Sequence, residues 1–312
     1  MKVGVVMNPV AGSGRMRSEW PVVKAALESH FGDISVRQTR SPGEASALAC
    51  GLASEGMDLV IAAGGDGTVS ETVDGLLMAR GSGHASPVLG IFPIGTGSDL
   101  ARGLGITGDA ASIAARIAQS PGRLLDAGCV NYVDDHGALR SRHFINIASL
   151  GLSGSTDRAV NGAKSGGKMS GKMVFLFHTV RELLRYRFQD VRVTVDGSAP
   201  IDARIALVAC ANGRYFGGGM NIAPEASTDD GELEVVIVHG RSKLSLLMDL
   251  RLVYAGAHKG SPFCTMLRGR RITVEPIGDP IANGALLDID GESPGRIPAT
   301  FQIIPGAITV RC

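Results

Sequence analysis

Three glycine-rich clusters, each directly after a short apolar run and directly before a helical pattern, constrain this chain more than any other feature. Residues 2–7 (KVGVVM) lead into Asn8-Pro-Val-Ala-Gly12-Ser-Gly14-Arg15. Residues 58–63 (DLVIAA) lead into Gly64-Gly65-Asp66-Gly67-Thr68, and residues 88–94 (VLGIFPI) into Gly95-Thr96-Gly97-Ser98-Asp99. Helical patterns follow over 19–31 (Trp20, Val23, Leu27 and Phe31 on one face), 42–55, 68–78 and from 98 to 104. Residues 34–40 alternate as a further strand. Strand, glycine turn, helix, repeated with short connections, builds βαβ units on a parallel sheet. The turns then all lie at the carboxyl ends of the strands, where such sheets bind ligands.

Glycine lets a backbone approach a phosphate closely and take positive φ. The helix that follows aims free N–H groups and partial positive charge at an anion. Three such turns on one edge describe a polyphosphate site. Neither common phosphate loop is present, because GxGxxG fails at Gly12-Ser-Gly14 and no GxxxxGK[ST] occurs. Asp66, between Gly65 and Gly67, can hold Mg²⁺ on nucleotide phosphates, accept the proton of an attacking hydroxyl, or serve only as a turn or N-cap residue. Thr68 and Thr96 offer hydroxyls on the same edge. Asp99 caps a helix or contacts Mg²⁺. Arg15 and Arg17 clamp phosphates or stay solvated.

The pattern changes after residue 126. Strand-like runs at 129–133, 143–148, 191–195, 201–209, 233–238 and 272–275, with Asp-Gly turns at 196–197 and 230–231, read as an antiparallel β domain. Two helical stretches interrupt it, at 168–187 and 242–258. Residues 164–187 carry Lys164, Lys168, Lys172, Arg181, Arg185 and Arg187 against Glu182. Met173, Leu176, Phe177, Val180 and Leu184 form an apolar stripe there, with Phe175 off it. The stripe is either a buried helix face or a basic amphipathic surface for an anionic membrane.

Composition narrows the function. Lys plus Arg is 31 against 30 for Asp plus Glu, a net charge of +1, so nothing supports a nucleic-acid binder. Five scattered cysteines without metal spacing read as reduced thiols of a cytoplasmic protein. No apolar run approaches the ~20 residues that cross a bilayer. Neither a signal peptide nor a lipidation motif is expected.

GGDGT at 64–68, NPVAGSG at 8–14 and PIGTGSDLAR at 93–102 resemble the diacylglycerol kinase catalytic domain family, which includes bacterial lipid kinases and the sphingosine and ceramide kinases. Asn212-Gly213, Gly217–Gly219, Ala223-Pro224 with Ala226, and Asp229-Asp230-Gly231-Glu232-Leu233 are similar to its C-terminal signature, and Asp290-Gly291-Glu292 to its final acidic motif. GGDGT alone is shared with NAD kinases and phosphofructokinases; the ordered combination is more specific. The resemblance implies an α/β plus all-β chain. An N-terminal α/β nucleotide domain (1–125 plus 298–312) precedes a C-terminal antiparallel β-sandwich lipid domain (126–297), with ATP bound between them. It implies ATP contacts at Asn8, Gly12, Gly14, Arg15, Thr39, Gly64, Gly65, Gly67, Thr68, Ser70, Gly95, Thr96 and Asp99. A Mg²⁺ site falls at Ser227, Asp230 and the carbonyl of Glu232, and the proton acceptor at Glu292, with Asp66 as the other catalytic carboxylate. Ser70 and Ser98 stand where the family has Asn, and Ser13 where some relatives have Lys.

The expected reaction is transfer of the γ-phosphoryl group of ATP·Mg²⁺ to a lipid hydroxyl by a cytoplasmic enzyme held peripherally and reversibly at a membrane. The partners are ATP and a lipid substrate at the membrane surface, without nucleic acid; a homodimer is left open. The alternatives are an NAD kinase-type enzyme with a soluble substrate and a catalytically silent nucleotide-binding protein.

Overall fold

The computed structural model describes residues 1–84, 86–94, 98–162, 171–281 and 283–312. Its chain clusters into two compact units, Met1–Asp126 with Gly306–Cys312, and Ala127–Pro305.

The first unit runs β1 (Val3–Met7), α1 (Arg15–Phe31), β2 (Ser35–Gln38), α2 (Glu44–Ser54), β3 (Leu59–Gly64), α3 (Asp66–Gly81), β4 (Val88–Pro93), α4 (Asp99–Gly103) and α5 (Ala110–Gln119), ending within β5 (Arg123–Asp134). β2, β1, β3 and β4 pair in that order, all parallel. Val5, Val6 and every residue of β3 are buried, as strands covered on both faces must be. Gly4 and Gly75 make room for their neighbours: a Cβ at Gly75 would lie 2.0 Å from the Ser46 carbonyl oxygen on α2. The helix α5 was not foreseen. Ile113, Ala114 and Ile117 give it a buried face, and Asp109 caps it by accepting from the Ser112 N–H at 2.9 Å.

The second unit continues with β6 (Leu139–Phe144), β7 (Ile147–Gly151), α6 (Leu152–Gly162), α7 (Gly171–Arg185), β8 (Gln189–Val195), β9 (Ile201–Ala211), β10 (Tyr215–Phe216), β11 (Met220–Asn221), β12 (Leu233–His239), α8 (Lys243–Ala255), β13 (Cys264–Gly269), β14 (Arg271–Pro276), β15 (Leu287–Ile289) and β16 (Gly295–Arg311). β13, β12, β9, β8, β14 and β16 pair antiparallel in that order; β7 also pairs with β9, and β15 with β7. Alternation on the central strands sorts side chains into two cores. Ile205, Val208 and Cys210 of β9 and Leu233, Val235 and Ile237 of β12 enter one. Ala206, Leu207 and Ala209 with Val236 and Val238 enter the other, which α7 and α8 close with Leu183, Leu246 and Val253.

Two expectations shift. Residues 298–305, placed above with the first domain, cluster with the second unit, because residues 299–302 of β16 pair with β14. The run at 143–148 is two strands: the N–H groups of Ile145, Asn146 and Ile147 turn to the Asp290 carboxylate at 3.0, 3.2 and 2.9 Å, which ends β6 and starts β7.

Candidate active site

The carboxyl edge of the first sheet gathers the termini of β1, β3 and β4 side by side. The first turn runs left-handed through Gly12 (φ 62°), Ser13 (60°) and Gly14 (89°), bringing the chain into α1 with no side-chain cap. The second turn enters α3 from Gly65, again uncapped. Asn8 joins the two: its Nδ2 donates to Thr68 Oγ1 at 3.1 Å, and its Oδ1 accepts from the Val10 N–H at 3.1 Å. Thr68 lies so close over Gly64 that a Cβ there would be 2.4 Å from its hydroxyl oxygen, which is why that position is glycine. Thr39, buried, sits beside β1 with its N–H on the Met7 carbonyl at 2.9 Å.

The other two helices of this edge are capped by carboxylates from α3. Asp66 Oδ2 accepts from the Asp99 N–H at 3.0 Å and Oδ1 from the Leu100 N–H at 3.3 Å, holding the start of α4. Glu71, buried, accepts from the Gly43 and Ala45 N–H groups at 2.9 and 3.0 Å and so caps α2. Of four helices starting here, α2 and α4 are capped by side-chain carboxylates, α1 turns its Arg15, Met16 and Arg17 N–H groups onto the Gly12, Ala11 and Gly14 carbonyls, and α3 begins at Gly65 without a side-chain cap. A glycine-started helix N-terminus such as that of α3 is the kind of end that suits an anion. The Ser70 hydroxyl is buried without a partner, as is that of Ser98.

The remaining residues of the expected nucleotide site divide. Asp99 is buried and pairs with Arg102 at 3.0 Å. Arg15 extends along α1 to Glu19 at 2.8 Å with about half its side chain exposed. Gly67 lies in the first turn of α3 with open space beside it. Gly95 and Thr96 lie outside the described residues.

In the second unit the acidic turn after β15 is tightly held. Asp290, at φ 49°, anchors three N–H groups as described, and the Gly291 N–H donates to Asp288 Oδ1 at 2.9 Å. Glu292 pairs with Arg142 at 2.6 Å and stays about one-third accessible. Behind the turn Asp288 also accepts from Ser149 Oγ at 2.9 Å and shares a buried carboxyl pair with Asp157 of α6. Burial first, and then the Asp288 charge, push the Asp157 carboxyl well above the ordinary carboxylate range; burial likewise raises Asp288. One proton is therefore held between them.

The expected Mg²⁺ site is differently arranged. Arg268 pairs with Asp230 and, at 3.4 Å, with Glu232, while Ser227 Oγ donates to Asp229 at 2.6 Å. A guanidinium supplies the positive charge there, so these side chains as placed do not fit a cation. No group of three His, Cys, Asp or Glu side chains among the described residues gathers to hold a metal ion.

The second unit also carries an apolar cavity between its sheet and α6, α7 and α8, walled by Leu152, Phe175, Leu183, Leu207, Leu250 and Val253 among others. The apolar stripe of 173–184 is not its wall. Met173, Leu176, Phe177 and Leu184 are 57%, 41%, 59% and 61% exposed, whereas Phe175, His178, Thr179 and Leu183 turn inward. Lys164, Lys168 and the Lys172 side chain lie outside the described residues.

Comparison with known proteins decides the family. The diacylglycerol kinase catalytic domain model matches residues 2–130, and the YegS C-terminal NAD kinase beta sandwich-like domain model matches residues 146–312. The second model spans more than half of the chain, which belongs to that YegS C-terminal family and carries a diacylglycerol kinase catalytic domain match ahead of it. A diacylglycerol kinase of Bacillus subtilis (strain 168) is 27% identical over 299 residues, 95% of this chain and 91% of that one. One of Mycobacterium tuberculosis (strain ATCC 25618 / H37Rv) is 27% identical over 310 residues, 99% of this chain and 94% of that one. A solved structure described as a candidate diacylglycerol kinase from Bacillus anthracis str. Sterne superposes with a TM-score of 0.76 at 25% identity, covering 99% of this chain and 96% of that one. Yeast NADH kinase shares the fold more distantly, with a TM-score of 0.52 at 12% identity, over 99% of this chain and 82% of that one.

Asp66, within the GGDGT motif, and Glu71, just beyond it, act as caps across 26–34 residues of sequence. Glu71, Asp157 and Arg142 were not singled out by sequence. The only signal was polar residues inside otherwise apolar helical or strand patterns, which does not reveal what they touch.

Proposed function

We propose that this chain is an ATP-dependent lipid kinase that transfers the γ-phosphoryl group to the hydroxyl of a diacylglycerol-like acceptor or a related lipid alcohol. The observation that carries the reading is the glycine-started helix α3, without a side-chain cap, next to the left-handed glycine turn that leads into α1 and beside two helices whose N-termini are held by Asp66 and Glu71. Phosphoryl transfer asks the protein mainly for positioning and charge stabilisation. The start of α3 and the backbone of the glycine turn before α1 hold the phosphates, with Asn8, Thr68, Ser70 and Thr39 along the same edge. ATP brings Mg²⁺, which neutralises phosphate charge. Glu292, accessible and oriented by Arg142, takes the proton of the attacking hydroxyl; Asp66 keeps the second turn and α4 in register.

The apolar cavity of the second unit takes hydrocarbon of the acceptor, each buried methylene contributing about 0.8 kcal/mol. The exposed Met173, Leu176, Phe177 and Leu184 on α7, with Leu244 and Met248 on α8, provide reversible contact with a membrane surface. No helix among the described residues is long and apolar enough to cross one.

The test is product analysis by mass spectrometry after incubation with ATP and, separately, diacylglycerol, a sphingoid base, ceramide, phosphatidylglycerol or NAD. A phosphorylated lipid is expected. NADP as the sole product assigns the chain to nucleotide chemistry, and no product with any acceptor removes the enzymatic reading.

A further inference from the structure

Asp249 is the only charged residue lining the apolar cavity of the second unit among the described residues. Asp249 is half-buried, and its Oδ2 is shut off from solvent without a hydrogen-bond partner. The other polar side chains of the lining are already satisfied. Thr156 Oγ1 donates to the Leu152 carbonyl at 2.8 Å, Thr179 Oγ1 to the Phe175 carbonyl at 2.9 Å, and the Ser153 and Ser149 hydroxyls hydrogen-bond each other at 2.7 Å. An unpartnered carboxylate oxygen against hydrocarbon is costly unless something donates to it. The sequence has room to avoid it: α8 (KLSLLMDLRLVYA) otherwise offers Leu and Val to this face.

We infer that the cavity binds an amphiphile whose buried part carries a hydrogen-bond donor, a hydroxyl or an ammonium next to the chain, and that Asp249 accepts from it. Asp249 is then a specificity residue, selecting donor-bearing chains over plain hydrocarbon. Discrimination of this kind is strong because the analogue lacking the donor leaves the carboxylate unpaired in the filled cavity. The inference rests on the reading of the cavity as the site for acceptor hydrocarbon.

The experiment is displacement of Nile red from the full chain by matched sixteen-carbon probes: a vicinal diol, the corresponding amino alcohol, and the methyl ether without a donor. The wild type is expected to bind the diol or the amino alcohol at least about tenfold more tightly than the ether, a difference of ~1.4 kcal/mol; which of the two binds more tightly separates hydroxyl from ammonium recognition. Asp249→Leu should keep Nile red and ether binding and lose the preference, and Asp249→Asn should weaken it while keeping the shape of the side chain. An ether bound as tightly as the donor probes by the wild type, or a preference that survives in Asp249→Leu, overturns the role of Asp249. A wild type that binds neither Nile red nor any probe overturns the cavity reading itself, and the Asp249 assignment with it.

Discussion

Asp66 touches backbone, not solvent alone: its two carboxylate oxygens hold the first N–H groups of α4. Asp66→Asn keeps one acceptor and loses the charge. Thermal unfolding should therefore show a loss of no more than about 1 kcal/mol, the usual scale of a cap. Phosphorylation activity should fall by roughly 10²–10⁴-fold if the charge also serves the reaction. A variant that keeps more than about a third of wild-type kcat confines Asp66 to capping. The Asp157–Asp288 pair makes a separate prediction. An unfolded Asp titrates near pH ~4, while the folded pair holds its proton to higher pH because burial raises both carboxyls. Between those values the native state binds more protons than the unfolded one. The pair's stabilisation is thus full in acid and lost as pH rises, at up to ~1.4 kcal/mol per pH unit. Asp157→Asn should flatten that slope in urea unfolding between pH 5 and 7; an unchanged slope contradicts a shared proton. Glycine spacing and the acidic motifs were legible at this scale because they are local. The partners of Asp66, Glu292 and Asp157 were not, since Asp66 meets α4 33 residues on and Glu292 meets Arg142 150 residues back.

The helices at the sheet edge differ in who caps them, and this sets the cost of losing a cap. Glu71→Ala leaves the N–H groups of Gly43 and of buried Ala45 without their acceptor, so urea unfolding should show a loss of roughly 1–3 kcal/mol. A loss below about 0.5 kcal/mol would mean α2 does not depend on Glu71. At Asp230 the expectation is the reverse. Its pair with Arg268 is partly exposed, so Asp230→Ala should cost no more than about 1 kcal/mol, and the loss should be the same with and without Mg²⁺. A Mg²⁺-dependent loss restores the metal site expected from sequence. The period of residues 173–184 identifies a helix with one apolar stripe, and α7 is that helix. Period alone does not say which face turns inward. Here the inner face mixes Phe175 and Leu183 with His178 and Thr179, so the more uniformly apolar stripe is the one left exposed. Replacing Met173, Phe177 and Met248 by Ser should weaken sedimentation with phospholipid vesicles and raise the KM for vesicle-borne lipid without altering the KM for ATP. Unchanged sedimentation places the docking surface elsewhere.

For the molecule as a whole, the alternation of the first 125 residues and the strand runs beyond them announced two units of different class, and both are present. What sequence could not show was the second core under α7 and α8, with its cavity, because its lining comes from seven elements spread between α6 and β13. The central claim is that one unit offers its glycine turns and the start of α3 to ATP phosphates and the other accommodates a lipid acceptor. The most direct measurement uses two preparations of ATP, one labelled in the γ-phosphate and one in the α-phosphate, with diacylglycerol in mixed micelles. Label recovered in the organic phase from γ-labelled ATP alone is the predicted result. No label in the lipid from either preparation, across the panel of acceptors, or equal label from both, would contradict it.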